Sequence, residues 1–285
     1  MIYNIVHQTT YRYSCEVFLE PQVLRLYPRA NPNQKVLDFV LDISPQPAGI
    51  SVGVDIWGNT FHQVWFSELH KTLTIKSTSI VQTMRKNPFD YYLPHHNRTI
   101  PITLDAIEKE ALKGSLTRAH ETGAVDHVRD MASRFNEESK GSVTMFLIHL
   151  NTWLFENIGR IERKEPGIYE PDMLLALGEG ACRDITVLFI EVCREAGLPA
   201  RFVSGYHEGD DRLIEGDLHA WAEVYLPGIG WRGYDPSYGL AVADRHIVLT
   251  AAPYAERTMP VTGNYRGPDA NPMFDYSIRL WADVQ

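Results

Sequence analysis

The chemistry this chain could do is concentrated in one cysteine, one histidine and one aspartate. Cys182 stands in Gly178-Glu179-Gly180-Ala181-Cys182-Arg183-Asp184. Ile185, Leu188, Phe189, Val192 and Ala196 follow at helical spacing, and Gly197 then Pro199 supply a stop signal. This pattern predicts a helix that begins at or beside Cys182. Free N–H groups and the positive end of the dipole at a helix start stabilise a thiolate, which is the nucleophilic form of cysteine. The glycines ahead of it would let a substrate approach the backbone closely.

A cysteine in a helix is more often a small apolar core residue, and Cys193, on the apolar face of the same helix, reads that way. The two lie 11 positions apart, or about 16 Å along a helix. They can neither bridge nor share a metal.

The partners lie on the C-terminal side of this helix. Pro199 to Tyr206 reads as a strand. After a polar loop, His219-Ala220-Trp221-Ala222-Glu223-Val224-Tyr225-Leu226 alternates, with Ala220, Ala222, Val224 and Leu226 on one face. Pro227 to Gly230 is a turn, and Trp231-Arg232-Gly233-Tyr234-Asp235-Pro236 is the returning strand. His219 heads one strand and Asp235 ends its hairpin partner. They could act as a base and its orienting carboxylate, taking a thiol proton and later protonating a leaving amine. The chain has 11 histidines, and His207 is the nearest competitor. Parity adds a condition. Both 219 and 235 are odd, so they share a face only if the hairpin connection has an odd number of residues, three or five, or if a bulge restores the register.

Three further residues flank these. Trp221 shares the face of His219 and could shield the site, donate to an oxyanion or pack as an ordinary core aromatic. Arg183 and Asp184 could bind substrate or tune the thiol, or could cap the helix and pair with neighbours. The backbone N–H of Cys182 is one expected oxyanion donor, and the sequence does not name the second. No metal site and no cofactor are expected.

The elements that must position these residues come from the rest of the chain. With 285 residues, two domains are the natural division. Lys35 to Ile43 and Leu73 to Gln82 are strand-like, Trp57-Gly58-Asn59 is a turn, and no helical period appears before residue 100. Residues 1–95 therefore read as a β-sandwich-like domain. Lys86 to Pro101 lacks a period and reads as a linker. Leu104 to Lys113, Val125 to Asn136 and Ser142 to Asn157 carry helical spacing, which opens a second domain over residues 96–285.

The net charge of −9 and sequence pI near 5.7 argue against nucleic acid. No apolar run is long enough for a membrane helix. Only three cysteines and a start without signal-peptide features suggest a reducing, cytoplasmic setting.

Four segments carry a family resemblance. They are Gly180-Ala181-Cys182-Arg183-Asp184, Gly197-Leu198-Pro199-Ala200-Arg201-Phe202-Val203-Ser204-Gly205-Tyr206, His219-Ala220-Trp221-Ala222-Glu223-Val224-Tyr225, and Gly230-Trp231-Arg232-Gly233-Tyr234-Asp235-Pro236. Together they resemble the core of the bacterial transglutaminase-like superfamily. His7 to Ser14, Leu24 to Arg29 and Asp55 to Asn59 resemble the β-rich region that precedes this core in many members. Ile185-Thr186-Val187 departs from the small-residue version common in relatives. The resemblance implies an α+β, papain-like fold with helices packed on an antiparallel sheet, and a Cys182–His219–Asp235 triad. The implied chemistry is acyl transfer through a thioester on a peptide, isopeptide or side-chain amide. Water as acceptor makes a peptidase or amidase, the favoured reading. An amine as acceptor makes a transglutaminase, and a binding protein on the same fold is the rival from another class.

Overall fold

The computed structural model describes residues 1–119, 125–163, 165–209, 215–216, 218–267 and 270–282. Six strands come first: β1 (Ile2–Leu19), β2 (Gln22–Leu24), β3 (Gln34–Ser44), β4 (Gly49–Val54), β5 (Thr60–Trp65) and β6 (Leu69–Thr83). Helices α1 (Ala106–Ala111), α2 (Lys113–Leu116), α3 (Val125–Glu138) and α4 (Val143–Asn157) come next. Then come β7 (Gly159–Arg160), α5 (Pro171–Leu177), β8 (Glu179–Gly180), α6 (Cys182–Glu195), β9 (Ala200–His207) and β10 (Glu215–Gly216). The chain closes with β11 (Leu218–Leu226), β12 (Gly230–Asp235), β13 (Leu240–Ala241), β14 (His246–Ala252), β15 (Val261–Thr262), β16 (Tyr265–Arg266) and β17 (Met273–Ala282).

The first ninety residues form strands because their apolar residues recur every second position. In β6, Leu73, Ile75 and Val81 are buried at odd positions along with Ser77 and Ser79, the period of one sheet face. Two sheets result, in the orders β10-β17-β1-β6-β3 and β15-β2-β5-β4. Val17, Leu19, Leu73 and Ile75 of one sheet meet Leu24 and Val64 of the other in a shared core. This is the sandwich-like region expected, with one difference. The sequence assigns everything after residue 95 to the second unit, yet β17 pairs along β1 from Tyr3↔Ala282 to Arg12↔Met273, and β15 pairs with β2.

The second region is a five-stranded antiparallel sheet, β13-β12-β11-β9-β14, packed against helices. The fold is α+β. Ala220, Ala222, Val224 and Leu226 of β11 meet Ile185, Leu188, Phe189 and Val192 of α6 and Phe146, Leu147 and Leu150 of α4 in one core. The helix α6 is buried nearly all round, from Asp184 to Arg194, where the sequence showed only one apolar stripe. Its polar residues are satisfied internally: Arg194 bonds Glu191 at 3.1 Å and the carbonyl of Ala200. The segment from Lys86 to Pro101 is no free linker. Leu93 is buried in the helical core, and Ile100 donates its N–H to the Gly141 carbonyl.

The first region also braces the site sheet. The side chain of Gln34 bonds both the N–H and the carbonyl of Val248 on β14, and Asn59 does the same for Ala251. The outer edge of β14 is thereby paired rather than left open. Among the described residues no helix is long and apolar enough to cross a membrane.

Candidate active site

The approach to Cys182 is set by α5. Pro171 occupies its first turn, where a missing N–H costs nothing. Gly178 ends it at φ +69°, a left-handed position that suits glycine. The chain then runs as β8 parallel to β7, pairing Arg160 with Gly180. Gly180 faces no open cleft: a Cβ there would lie 2.5 Å from a methyl of Leu174, so this glycine serves close packing on α5. Ala181 is the N-cap and Cys182 is the first helical residue. The N–H of Cys182 thus belongs to the set without intrahelical acceptors.

Ala181 has no side-chain oxygen to cap the helix, and Asp184 does the work from inside. It is fully buried and accepts the N–H of Ala181 at 2.8 Å and that of Tyr169 at 2.8 Å. Arg163 pairs with it at 2.8 Å. Arg183 points the other way and donates to the carbonyls of Arg163, Glu165 and Gly167. Both residues brace the loop before the helix. Neither is presented to the space beside the Cys182 thiol as a free group, so the substrate-binding roles suggested for them in sequence have no support in their partners.

His219 and Asp235 meet as parity requires. The hairpin pairs Tyr225 with Trp231 and Leu226 with Gly230, leaving a three-residue connection. Continuing that register by one step sets Asp235 opposite Trp221, beside His219. The Nε2 of His219 lies 2.7 Å from Oδ2 of Asp235. The Cys182 thiol lies near enough to the same imidazole to influence its protonation, and the imidazole's remaining nitrogen is Nδ1. Cys182 is half-buried, His219 is 5% exposed and Asp235 is 0% exposed.

Burial alone would push the His219 pKa down. The Asp235 charge and hydrogen bond, with a further contribution from Cys182, outweigh it and raise the pKa from 6.5 to about 10. Burial would likewise raise the Asp235 pKa, but the charge and hydrogen bond of His219 and a hydrogen bond from His246 hold it far below the usual carboxylate range. A histidine held by a buried carboxylate beside a thiol that opens a helix is the arrangement in which a base can serve a nucleophile.

Trp221 is 0% exposed and packs with Val203, Val248 and Ala251. Its ring lies over β9 at Gly205, where a Cβ would come within 2.5 Å of it. Gly205 is the cross-strand partner of His219, so the indole shields the strand beneath the imidazole. Its N–H is buried and has no partner among the described residues. An indole sealed in this way is not open to a substrate oxyanion.

Several residues around the site were not singled out in sequence. Ser237 donates both its N–H (3.1 Å) and its hydroxyl (2.8 Å) to Oδ1 of Asp235. Tyr238 sets its ring edge-on to His219 at 5.3 Å and stacks on His207 at 4.5 Å. The Arg160 guanidinium lies 4.5 Å over the Tyr238 ring. His246, the first residue of β14, comes within 3.0 Å of Asp235. Ser237 and Tyr238 come soon after Asp235 in the chain, so the tight turn after Pro236 is the one sequence signal that could have pointed to them. His207 stands buried opposite His246 and next to His219. Burial, with His246 and His219 nearby, lowers its pKa to about 3, which fits a neutral neighbour and not a rival base.

Residues 129–236, which contain all three candidate residues, match the transglutaminase-like superfamily. Residues 3–82 match the bacterial transglutaminase-like N-terminal region. The chain thus carries a transglutaminase-like core behind a transglutaminase-like N-terminal region. Among curated relatives, an uncharacterized protein of Mycobacterium tuberculosis is 29% identical over 97% of this chain and 91% of its own. A protein-glutamine gamma-glutamyltransferase of Pseudomonas aeruginosa is 36% identical, but over only 25% of this chain and 12% of its own. Among solved structures, a provisionally assigned cysteine protease from Cytophaga hutchinsonii superposes with a TM-score of 0.69 at 17% identity. That match covers 99% of this chain and 98% of the other, so the shared fold extends through both regions. Family and fold together support a thiol-dependent enzyme.

Proposed function

We propose that the protein is an amide-cleaving acyl-transfer enzyme in which Cys182 is the nucleophile, His219 the base and acid, and Asp235 the orienting carboxylate. The observation that carries this reading is the 2.7 Å bond from His219 to a fully buried Asp235, with Cys182 beside the same imidazole at the start of α6. The three residues come from the start of α6, the start of β11 and the end of β12, and they form a nucleophile, its base and the orienter of that base.

In the acylation step the Cys182 sulfur attacks the amide carbonyl carbon, and the π pair moves to oxygen. The Cys182 backbone N–H, free at the helix start, is placed to donate to that oxygen. The imidazolium gives its Nδ1 proton to the amide nitrogen, the C–N bond breaks, and the amine leaves from a thioester. In deacylation a water loses its proton to the now neutral His219 and attacks the thioester. The C–S bond breaks and the carboxylic product departs. Throughout, Asp235 stabilises the charged imidazole and holds its orientation.

The substrate class is a peptide, isopeptide or side-chain amide, and the favoured acceptor is water. Profiling the purified protein against a peptide and amide library, with and without an added primary amine, tests this directly. Cys182-dependent release of amine without an acceptor supports hydrolysis. Product that incorporates the added amine makes the enzyme a transglutaminase. No turnover in either arm removes the enzymatic reading in favour of a binding protein.

A further inference from the structure

Asp235 holds two imidazoles, and the triad uses one of them. Oδ2 lies 2.7 Å from Nε2 of His219 and 3.0 Å from Nε2 of His246. Oδ1 takes the N–H and the hydroxyl of Ser237. An ionised carboxylate only accepts, so both histidines must carry hydrogen on Nε2. The other ring nitrogen of His246 is Nδ1. It is buried and has no partner among the described residues.

The position of His246 in the sheet makes this contact informative. The strand order is β12-β11-β9-β14, three spacings from Asp235 to His246. In a flat sheet that separation is about 14 Å. A 3.0 Å bond between side chains of these strands requires the sheet to curve enough for the two side chains to reach each other beside His219. The His246–Asp235 bond spans that gap directly. The groups packed around it are Asp235 on β12, His219 on β11, His207 opposite it on β9, and Arg245 just before it. Burial, the largest influence, lowers the pKa of His246. A neutral donor is what the site needs, because a second imidazolium would compete with His219 for the same oxygen.

We propose that His246 is a positioning residue whose Nε2–H clamps Oδ2 of Asp235 across the curled sheet and so fixes the carboxylate that orients His219. With Ser237 on one oxygen and His246 on the other, the carboxylate cannot rotate away from the imidazole. The proposal rests on the triad reading. It adds a fourth residue, from a strand that the hairpin motifs do not include.

The test uses alkylation of Cys182 by iodoacetamide at neutral pH, which needs no known substrate. His246→Gln keeps an N–H donor of similar reach, and His246→Leu keeps the volume without one. The expected result is a loss of about tenfold or more in the Leu variant, the scale of a lost hydrogen bond to a charged group, with the Gln variant close to wild type. Wild-type rates in the Leu variant, or equal losses in both, would overturn the proposal. His219→Ala serves as the control for the triad itself. If it alkylates as fast as wild type, the triad fails and the proposal fails with it. If it is slow while the Leu variant is fast, the triad stands and only the role of His246 is lost. Should the Leu variant not fold, nitrogen NMR of histidine-labelled wild-type protein decides the matter. Protonated Nε2 and bare Nδ1 on His246 are expected, and the opposite tautomer refutes the clamp.

Discussion

Cys182 opens α6 and Cys193 lies in its last turn, so a single helix presents the same side chain in two surroundings. At the first end the thiol is half-buried, faces His219 and sits among backbone N–H groups without helical acceptors. At the other end the thiol is sealed in the core with Leu188, Val192 and Leu198. There burial pushes the pKa well above its ordinary value, and the opposing effect of Arg194 is smaller. The Arg194 guanidinium is already engaged by Glu191 and the carbonyls of Ala200 and Pro253. On the proposed reading, reactivity is a property of where the helix starts and what leans on it, not of the cysteine itself.

The largest expected effect comes from erasing the difference at its reactive end. Cys182→Ala should lower turnover by about ten-thousandfold or more, the scale of removing a nucleophile. Turnover within about tenfold of wild type, measured on whichever amide the library identifies, would end the assignment. Asp235→Asn comes next. It keeps the shape of the site but favours the wrong histidine tautomer, and the expected loss is roughly tenfold to ten-thousandfold in kcat. Full activity in that variant would mean that another group orients His219.

A pH series sharpens the same contrast. His219 keeps its proton until about pH 10, so the alkaline limb of kcat/KM should fall there and not near 6.5. The folded state then holds a proton that the unfolded chain releases above pH 6.5. Stability linked to His219 is full below 6.5 and declines as pH rises toward about 10. Thermal melts of wild type and His219→Ala across that window should converge at high pH. Parallel curves would show that no such proton is held.

The smallest effect belongs to the buried end. Cys193→Ala should leave turnover unchanged and cost about 1–2 kcal/mol of stability through a small core void. Urea titration gives the stability and the amide assay the activity. A variant that loses activity while keeping its fold would show that the two ends of α6 are coupled.

Much of this arrangement is legible in the residues themselves, for physical reasons. Alternation in β11 and the stop after Ala196 report the local elements, because each element must show an apolar face to one core. The odd-length connection between Leu226 and Gly230 comes from parity alone. What stays hidden depends on contacts between distant segments. His246 is an ordinary first residue of a strand until the sheet curls and brings it to Asp235. Asp184 and Arg183 look available because they flank the thiol, and only the loop from Arg163 to Tyr169 shows that both are already engaged. The pairing of β17 with β1 leaves no local trace either, since nothing within either strand names its partner.

That pairing also puts a clock on the molecule. When β1 leaves the ribosome its partner on one side, β6, emerges within a few dozen residues, but β17 does not yet exist. At synthesis rates of about 5–20 residues per second, roughly ten to forty seconds separate β6 from β17. During that interval Cys182, His219 and Asp235 have all been made, while one edge of the first sheet still waits for its closing strand. A chain interrupted before residue 273 would carry every residue of the candidate site on a scaffold with an open, sticky edge. Truncation of the tail should thus be felt as aggregation, far in sequence from the candidate site.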